Sequence, residues 1–336
     1  MKFAISAAGL TALLLAATRV TGAEFPPVPT LVGSALENYP SPFPVRLFTQ
    51  TVDGEAVRMA YMDVPPEGSA NGKTALLFHG KNFFGDYWRD TAQRLTQNGW
   101  RVVIVDQIGF GRSSKPDIAY SFHTLGSTTK ALVTHLGLTK LTVIAHSMGG
   151  MVATRFALLY PETVDRLVLE DPIGMEDYRI KVPAAATEDL VKATLAEREE
   201  NVLKFHQGYY PQWKPEYGVW AQLQSRALQG GEGPRLARAS ALTYQMIFRE
   251  PVCYEFGLLK CPTLLMVGDK DRAAIGKNRV NDEVRATLGQ NAELAKRVAA
   301  QLPAGSKLII YPGVGHVPHL EATDKFQQDL LEFIGR

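Results

Sequence analysis

Short apolar runs and amphipathic segments alternate along most of the chain. Eight runs are rich in apolar or β-branched residues and are predicted as strands: 45–50, 56–63, 74–78, 101–105, 141–145, 166–170, 263–267 and 307–311. Segments with helical spacing of apolar residues are predicted as helices: 86–97, 123–136, 147–160, 282–302 and 323–334. Because the later strands are apolar almost throughout, both faces of the sheet need cover. This pattern indicates an α/β fold, with a mostly parallel sheet and helices on both faces.

The alternation stops at about residue 174 and resumes at about residue 252. Residues 174–251 are helical in pattern, charged and aromatic, and contain no convincing strand. The length of 336 residues allows either two domains or one large domain with an insertion. We interpret the chain as one core, residues 45–173 and 252–336, into which a helical cap of residues 174–251 is inserted.

The N-terminal residues have a different pattern. Lys2 precedes an apolar stretch at residues 3–17, and Thr21-Gly22-Ala23 supplies the small residues of a cleavage site. The stretch is too short for a membrane span, so residues 1–23 are predicted to be a signal peptide. Export to the periplasm or the medium follows, without stable membrane insertion after cleavage; an uncleaved anchor is the alternative. Residues 24–44 contain six prolines and are predicted to form an extended arm.

Composition and charge exclude several classes of protein. The chain is 46% hydrophobic and 21% charged, which is typical of a globular protein and not of a disordered one. Its net charge is +2, and loss of Lys2 and Arg19 with the signal peptide reduces the 36 basic residues to 34, equal to the 34 acidic ones. A neutral mature chain has no basic footprint, so nucleic acid is not an expected partner.

Cys253 and Cys261 are the two cysteines of the chain. In an oxidising compartment their spacing permits an intrachain disulfide, and two buried thiols are the alternative. The sequence has neither a CxxC motif nor a Cys/His zinc pattern. No metal or other cofactor is therefore expected.

A serine stands where a buried strand runs directly into a helix. Residues 141–150 read LTVIAHSMGG, with Ser147 at the turn. Ala145 and Gly149 are small enough for strand and helix to approach closely, which projects the Ser147 hydroxyl at the carboxyl end of the sheet. The amide of Met148, at the helix N-terminus, points into the same space and favours negative charge. A serine that only caps the helix is the alternative.

A serine hydroxyl needs a base to become a nucleophile. His316 follows the last predicted strand and lies in a glycine-containing loop at the same edge of the sheet. His319 is its nearest rival. A metal site formed by His316, His319 and Glu321 is a further alternative.

A catalytic histidine in turn needs a carboxylate that sets its tautomer. Asp271 comes shortly after the predicted strand 263–267 and is favoured for this role. Asp269, two residues earlier, competes with it. Asp171, which follows the strand 166–170, is the other candidate, because an acid there also reaches the histidine.

The order Ser147, Asp271, His316 along the chain is that of the α/β-hydrolase triad. Three more segments have the form of motifs in that superfamily: FHGKN at 78–82, D-x-x-G-x-G-x-S-x-x-P at 106–116 and G-H-x-P-H-x-E at 315–321. On these motifs the chain resembles the serine-nucleophile branch of the α/β-hydrolase superfamily over residues 45–336. The resemblance implies an eight-stranded sheet and a second oxyanion-hole amide, which falls on Lys81.

Two positions depart from the pattern of the superfamily. Ala145 replaces a glycine of the serine turn, a change that the turn should tolerate. Lys81 is charged where many relatives are apolar, and its side chain is either held by Asp86 or meets an anionic substrate. His79 and Asp106 are interpreted as residues that hold loops and do not take part in catalysis.

The predicted function is that of an exported serine hydrolase that cleaves carboxylic esters, lactones or thioesters through an acyl-enzyme. Ser147 argues against epoxide hydrolases and haloalkane dehalogenases, whose nucleophile is an aspartate. A perhydrolase, a carbon–carbon bond hydrolase and a non-catalytic ligand-binding protein of the same fold are the alternatives. Aromatic residues predict small-to-medium apolar or aromatic substrates. Six residues are predicted to contact the substrate: Asn82, Phe83, His146, Tyr209, Tyr210 and Trp213.

Overall fold

Eight strands form a single sheet in the structure, a computed structural model that describes residues 25–335. The predicted signal peptide, residues 1–23, lies outside the described residues. Among the described helices, none has the length and apolar character that a membrane crossing requires. The strands are β1 Val45–Val52, β2 Glu55–Val64, β3 Thr74–Phe78, β4 Arg101–Val105, β5 Leu141–His146, β6 Val164–Glu170, β7 Thr263–Gly268 and β8 Lys307–Tyr311.

The strand order is β1-β2-β4-β3-β5-β6-β7-β8. Strands β1 and β2 pair antiparallel, as do β2 and β4, and every later pairing is parallel. Phe78 is in register with both Val105 and Ala145. The loops that follow β3 and β5 therefore emerge side by side at the carboxyl edge of the sheet, as the sequence predicts for Lys81 and Ser147.

Helices cover both faces of the sheet. Those outside the predicted cap are α1 Arg89–Gln97, α2 Phe122–His135, α3 Met148–Leu159, α8 Asp282–Thr287, α9 Asn291–Ala299, α10 Pro318–Glu321 and α11 Thr323–Ile334. Along β3, Leu76 and Phe78 join the core beneath α2, α3 and α9, whereas Ala75 and Leu77 join the core beneath α1 and α11. The period of two along a strand thus buries side chains on both faces.

The structure corrects one predicted helix and shortens another. Residues 282–302 were expected to be one helix, but they form α8 and α9, separated by Gly289 with a φ of +68°. A Cβ at Gly289 would lie 2.5 Å from the carbonyl oxygen of Arg272, so the break lets the chain pass close to the loop after β7. Residues 86–97 begin as a 3-10 turn, Gly85–Trp88, before α1.

Four helices lie between β6 and β7: α4 Thr187–Leu195, α5 Glu199–Gln207, α6 Gly218–Leu228 and α7 Gly233–Arg249. They pack mainly as two pairs, α4 with α7 and α5 with α6. Residues 174–251 contain no strand, as the pattern predicts. The division of the chain into a core and a cap stays a prediction, and "cap" here means residues 174–251.

The proline-rich arm, described from residue 25 to 44, lies across both core and cap. Nη1 of Arg226 on α6 donates to the carbonyl oxygens of Val28 at 2.6 Å and Pro29 at 3.1 Å. Nζ of Lys115 donates to the carbonyl of Ser34 at 2.6 Å. The arm therefore bonds through its backbone carbonyls to basic side chains of cap and core.

Cys253 and Cys261 are not joined in the structure. Cys261 is buried, and burial raises the pKa of its thiol to about 11. A thiol with so high a pKa is a weak nucleophile at neutral pH. The disulfide and its alternative of two buried thiols both stay predictions, and Cys253 is only partly buried.

A buried ion pair joins the arm to the loops after β3 and β4. Nη1 and Nη2 of Arg112 donate to Oδ1 and Oδ2 of Asp86 at 2.6 and 3.0 Å, and Nη2 also donates to the carbonyl of Tyr39 at 3.2 Å. Burial raises the pKa of Asp86 to about 6, although Arg112 opposes the shift. The pair is nearly inaccessible to solvent, so each charge depends on the other.

We predict that Asp86→Ala lowers the free energy of unfolding by about 3–5 kcal/mol, because Arg112 would stay buried without its counter-ion. Urea unfolding at pH 7 measures the loss. Glu293→Ala is the control, since Glu293 and Lys296 form an exposed pair worth about 0–1 kcal/mol. Equal losses in the two variants would contradict the prediction.

Candidate active site

The turn between β5 and α3 holds Ser147 in an uncommon backbone conformation, with φ 56° and ψ −122°. A non-glycine residue rarely adopts such a conformation unless its surroundings impose it. Gly149 shows what those surroundings are, because a Cβ there would lie 2.7 Å from the carbonyl oxygens of Phe78 and His79. The start of α3 therefore rests directly on the end of β3. The small residue predicted at this position is a steric requirement.

His316 lies in the loop after β8, and its Nε2 atom is 2.9 Å from Oγ of Ser147. Glu321 holds this loop, because its carboxylate accepts hydrogen bonds from the amides of Gly315 and Val317, both at 3.0 Å. The amide of His316 itself donates to the carbonyl of Tyr209 in the cap at 2.8 Å. The sequence pattern marked Glu321 as part of a family motif, and the structure gives it a positioning contact.

Asp271 reaches the other ring nitrogen of His316, with Oδ1 3.1 Å from Nδ1. The oxygen lies off the direction of the ring N–H, so the contact is short without being a well-aligned hydrogen bond. The carboxylate also accepts from the amide of Ala273 at 2.8 Å and from Nδ2 of Asn291 at 2.7 Å. Burial acts to raise the pKa of Asp271, but His316 and these donors outweigh it and hold the pKa below its usual range.

The two rival acids are placed differently. Asp171 is buried beside the pair, within 4.8 Å of the ligand atoms of Asp271 and His316. Burial and the neighbouring charge of Asp271 raise its pKa well above the usual range, although the amide of Gly268 donates to it. Asp269 instead binds the amide of Gly313 and the ammonium of Lys270. Asp271 therefore lies against His316 with its pKa lowered, whereas the pKa of Asp171 beside it is raised.

His319 has a separate partner. Its Nδ1 atom lies 2.9 Å from Oε2 of Glu170, and its ring stacks on Trp88 with centroids 4.3 Å apart. The cluster that gathers metal-ligand atoms among the described residues is Asp171, Asp271 and His316, and it does not include His319 or Glu321. The sequence reasoning did not identify the buried pair of His319 and Glu170, although Glu170 ends an apolar strand, where a carboxylate is unusual.

Two backbone amides border the serine. No hydrogen bond from the amide of Lys81 or of Met148 to a protein acceptor is found within residues 25–335. His79 supports the Lys81 turn, because Nε2 accepts from the amide of Gln107 at 3.0 Å and Nδ1 lies 2.8 Å from the carbonyl of Gly80. The two free amides thus lie on the two loops that the sheet register brings together.

Asp106 holds a loop, as the sequence indicates: it accepts from the amides of Gly85 at 2.6 Å and Arg112 at 2.7 Å. The suggestion that Asp86 holds Lys81 is wrong, because Asp86 is paired with Arg112. Nζ of Lys81 instead reaches helix α7 of the cap.

The six predicted substrate contacts have different surroundings. Nδ2 of Asn82 donates to the hydroxyl of Tyr209 at 2.7 Å, and the Tyr209 ring lies 4.7 Å from that of His316. Phe83 is buried and stacks on Tyr87 at 4.9 Å. Tyr210 and Trp213 contact each other edge to face, and the Tyr210 hydroxyl has no partner in the described part of the chain. These roles stay predictions.

His146 has both ring nitrogens occupied by protein. Nε2 lies 2.6 Å from the carbonyl oxygen of His316, and Nδ1 lies 3.0 Å from the hydroxyl of Tyr87. Burial, together with the nearby His316 and His319, lowers its pKa well below the usual value. A neutral His146 donates through Nε2 and accepts through Nδ1, so its side chain supports the histidine loop. Its predicted contact with substrate stays untested.

The sequence model of the alpha/beta hydrolase fold family matches residues 75–323. The chain belongs to the α/β-hydrolase fold family. A probable hydrolytic enzyme from Pseudomonas aeruginosa PAO1 has 44% identity and a TM-score of 0.88, over 90% of this chain and 98% of that one. Lipase 1 of Psychrobacter immobilis is 28% identical over 82% of this chain and 80% of its own length. A non-heme chloroperoxidase of Kitasatospora aureofaciens is 24% identical over 79% and 93%.

In this α/β hydrolase, we expect Asp271→Asn to lower the reactivity of Ser147 by a factor on the order of 10⁴, because the histidine would adopt the wrong tautomer. Asp171→Asn should change it by less than about tenfold, since Asp271 is the acid that contacts Nδ1 of His316. The rate of covalent labelling by a fluorophosphonate measures both. A loss in Asp171→Asn as large as that in Asp271→Asn would make Asp171 the triad acid.

Proposed function

We propose that this α/β hydrolase is a serine esterase that acts on carboxylic esters, including lactones and thioesters. The observation that carries the proposal is the 2.9 Å contact between Oγ of Ser147 and Nε2 of His316, with Nδ1 of His316 3.1 Å from Asp271. This arrangement makes the hydroxyl a nucleophile and gives its proton an acceptor.

The reaction proceeds in two halves. Oγ of Ser147 attacks the carbonyl carbon while its proton passes to Nε2 of His316, and the amides of Lys81 and Met148 donate to the resulting oxyanion. Each such donor contributes a factor on the order of 10²–10³ in rate. The tetrahedral intermediate collapses, and the alcohol leaves with the proton from His316. Water then attacks the acyl carbon as His316 takes its proton, and His316 returns that proton to Oγ of Ser147 as the bond to the enzyme breaks and the acid leaves.

Several features support an ester over other substrates of the fold. A serine nucleophile forms an acyl ester that water hydrolyses, whereas alkyl-transfer enzymes of this fold require an aspartate. The similarity to Lipase 1 of Psychrobacter immobilis supports the same class. The ring of Tyr209 lies beside that of His316, and the ring of Phe83 lies beside that of Tyr209. These aromatic groups suit small-to-medium apolar or aromatic substrates.

The similarity to a non-heme chloroperoxidase favours a second candidate, cofactor-free perhydrolysis. Here hydrogen peroxide replaces water in the second half of the reaction and releases a peracid from the same acyl-enzyme. Peroxide-dependent bromination of monochlorodimedone in acetate buffer detects it. A non-catalytic ligand-binding protein would show neither this reaction nor ester turnover.

Export to the periplasm or the medium stays part of the proposal and rests on the pattern of residues 1–23. Mass spectrometry of the protein recovered outside the cytoplasm tests it. A mature chain that still begins at Met1 would overturn signal cleavage.

We predict that Ser147→Ala abolishes the hydrolysis of p-nitrophenyl acetate and butyrate and the labelling by a fluorophosphonate, because it removes the hydroxyl that contacts Nε2 of His316. The expected loss of kcat is on the order of 10⁶. Ser113→Ala is the control, since that buried hydroxyl belongs to a core loop and bonds to Asp106. Turnover that persists in Ser147→Ala would exclude the acyl-enzyme mechanism.

A further inference from the structure

A cavity of about 120 Å³ lies between the oxyanion turn, the cap and the arm. Most of its wall is apolar or aromatic, with the side chains of Leu36, Phe83, Phe84, Phe110, Trp220 and Leu223. Two lysines, Lys81 and Lys115, also line it, and no aspartate or glutamate does. A mostly apolar cavity with cations and no acid in its wall is suited to an anionic ligand with an apolar body.

Lys81 lies between the oxyanion turn and helix α7. Its Nζ donates to the carbonyl of Ser240 at 2.9 Å, to Oγ of Ser240 at 3.3 Å and to Oγ1 of Thr243 at 3.1 Å. All three acceptors are neutral. Burial therefore lowers the pKa of Lys81 to about 7, with no carboxylate to oppose the shift.

Lys115 is buried on the other side, where the arm crosses the loop after β4. Its Nζ donates to the carbonyl oxygens of Ser34 and Gly111, which are also neutral acceptors. Burial lowers its pKa to about 8, and the more distant charges of Asp106, Glu37 and Glu232 only partly oppose this.

Two buried lysines that line one cavity without an ion-pair partner lower the stability of the folded protein. A buried cation is stable only when it is paired, and it otherwise loses its proton more readily. An anion that enters the cavity would supply the missing counter-charge to both. Binding of such a ligand would therefore offset the destabilisation that the unpaired lysines cause.

We propose that this cavity is a substrate subsite that selects esters carrying a carboxylate at the end of an apolar chain or ring. The proposal rests on the esterase function proposed above. Lys81 connects the two roles, because its amide lies on the proposed oxyanion turn and the residue also lines the cavity. Asn82, the next residue of that turn, lines the cavity as well.

The test compares p-nitrophenyl half-esters of the dicarboxylic acids from glutaric to suberic with p-nitrophenyl esters of the neutral acids of equal length. At the best chain length we expect kcat/KM to favour the half-ester by on the order of tenfold or more. Lys81→Met and Lys115→Met should each remove most of this preference. A comparison of 4-acetoxybenzoate with phenyl acetate tests whether a carboxylate on the alcohol part of the ester is also preferred.

The readout is the ratio of kcat/KM for the half-ester to kcat/KM for the neutral ester. A general loss of activity when Lys81 is replaced cancels in this ratio. Lys81→Arg keeps the cation and should keep the preference. Lys140→Met removes an exposed lysine, paired with Asp165 at the opposite edge of the sheet, and should leave the ratio unchanged. A ratio that is the same in all five proteins would overturn the proposal.

The preference should also depend on pH, since kcat/KM reports the ionisation of the free enzyme. Lys81 and Lys115 lose their protons as the pH rises through about 7 and about 8, so the ratio should be larger at pH 6 than at pH 9. Among residues 25–335, burial alone shifts the pKa of Lys81, whereas Asp106, Glu37, Glu232 and Arg112 also act on that of Lys115. A ratio that does not change with pH would contradict the role of both lysines.

A binding measurement separates this proposal from the esterase function. Calorimetric titration with hexanoate and with hexanamide needs no turnover. Tighter binding of hexanoate that is lost in Lys81→Met and Lys115→Met supports the subsite even if no ester is cleaved. Equal binding of the two ligands to the wild-type protein overturns it.

Discussion

The contact between the start of α3 and the carboxyl end of β3 is the constraint on which the rest of the site depends. Gly149 lies against the carbonyl oxygens of Phe78 and His79, so the turn before it must be sharp, and Ser147 takes the positive φ that results. The same contact places the amide of Met148 beside the turn that carries the amide of Lys81. The positions of the proposed nucleophile and the proposed oxyanion donors thus follow from one backbone approach, which small residues permit and the parallel register of β3 and β5 enforces.

A series of buried hydrogen bonds fixes the loop of His316 relative to this turn. The amide of Gly80 donates to the hydroxyl of Tyr87 at 3.0 Å, the hydroxyl lies 3.0 Å from Nδ1 of His146, and Nε2 of His146 lies 2.6 Å from the carbonyl of His316. The low pKa of His146 keeps it neutral, with one nitrogen as donor and the other as acceptor. Every donor in this series of hydrogen bonds therefore points from the loop of Gly80 towards the loop of His316. Fully satisfied buried networks of this kind fix a single arrangement of the groups they join.

The sequence predicted the parts of the molecule that short-range pattern determines. The eight strands follow from apolar runs, and the positions of Ser147 and His316 follow from turns next to strands. Contacts between distant segments could not be predicted from the sequence pattern. Asp86 pairs with Arg112 and not with Lys81, and His319 pairs with Glu170, because of how the loops pack in space. The break at Gly289 was missed because a helical period continues through it, and only the nearby Arg272 carbonyl shows why the glycine is needed. Asp171 and Asp271 were both plausible acids from their places after strands. Burial acts to raise both pKa values, but His316 and the donors around Asp271 reverse the shift for that residue alone.

Hydrogen bonds of three residues, His316, Asn82 and Lys81, join the cap to the proposed catalytic elements. The amide of His316 donates to the carbonyl of Tyr209, Asn82 donates to the Tyr209 hydroxyl, and Lys81 donates to Ser240 and Thr243. Gly315 shows how close this approach is, since a Cβ there would lie 2.1 Å from the carbonyl oxygen of Tyr209. Residues 174–251 therefore contact both the loop of the proposed base and the proposed oxyanion turn. A change in cap position alters the geometry of catalysis as well as the shape of the cavity, so kcat and KM are expected to change together.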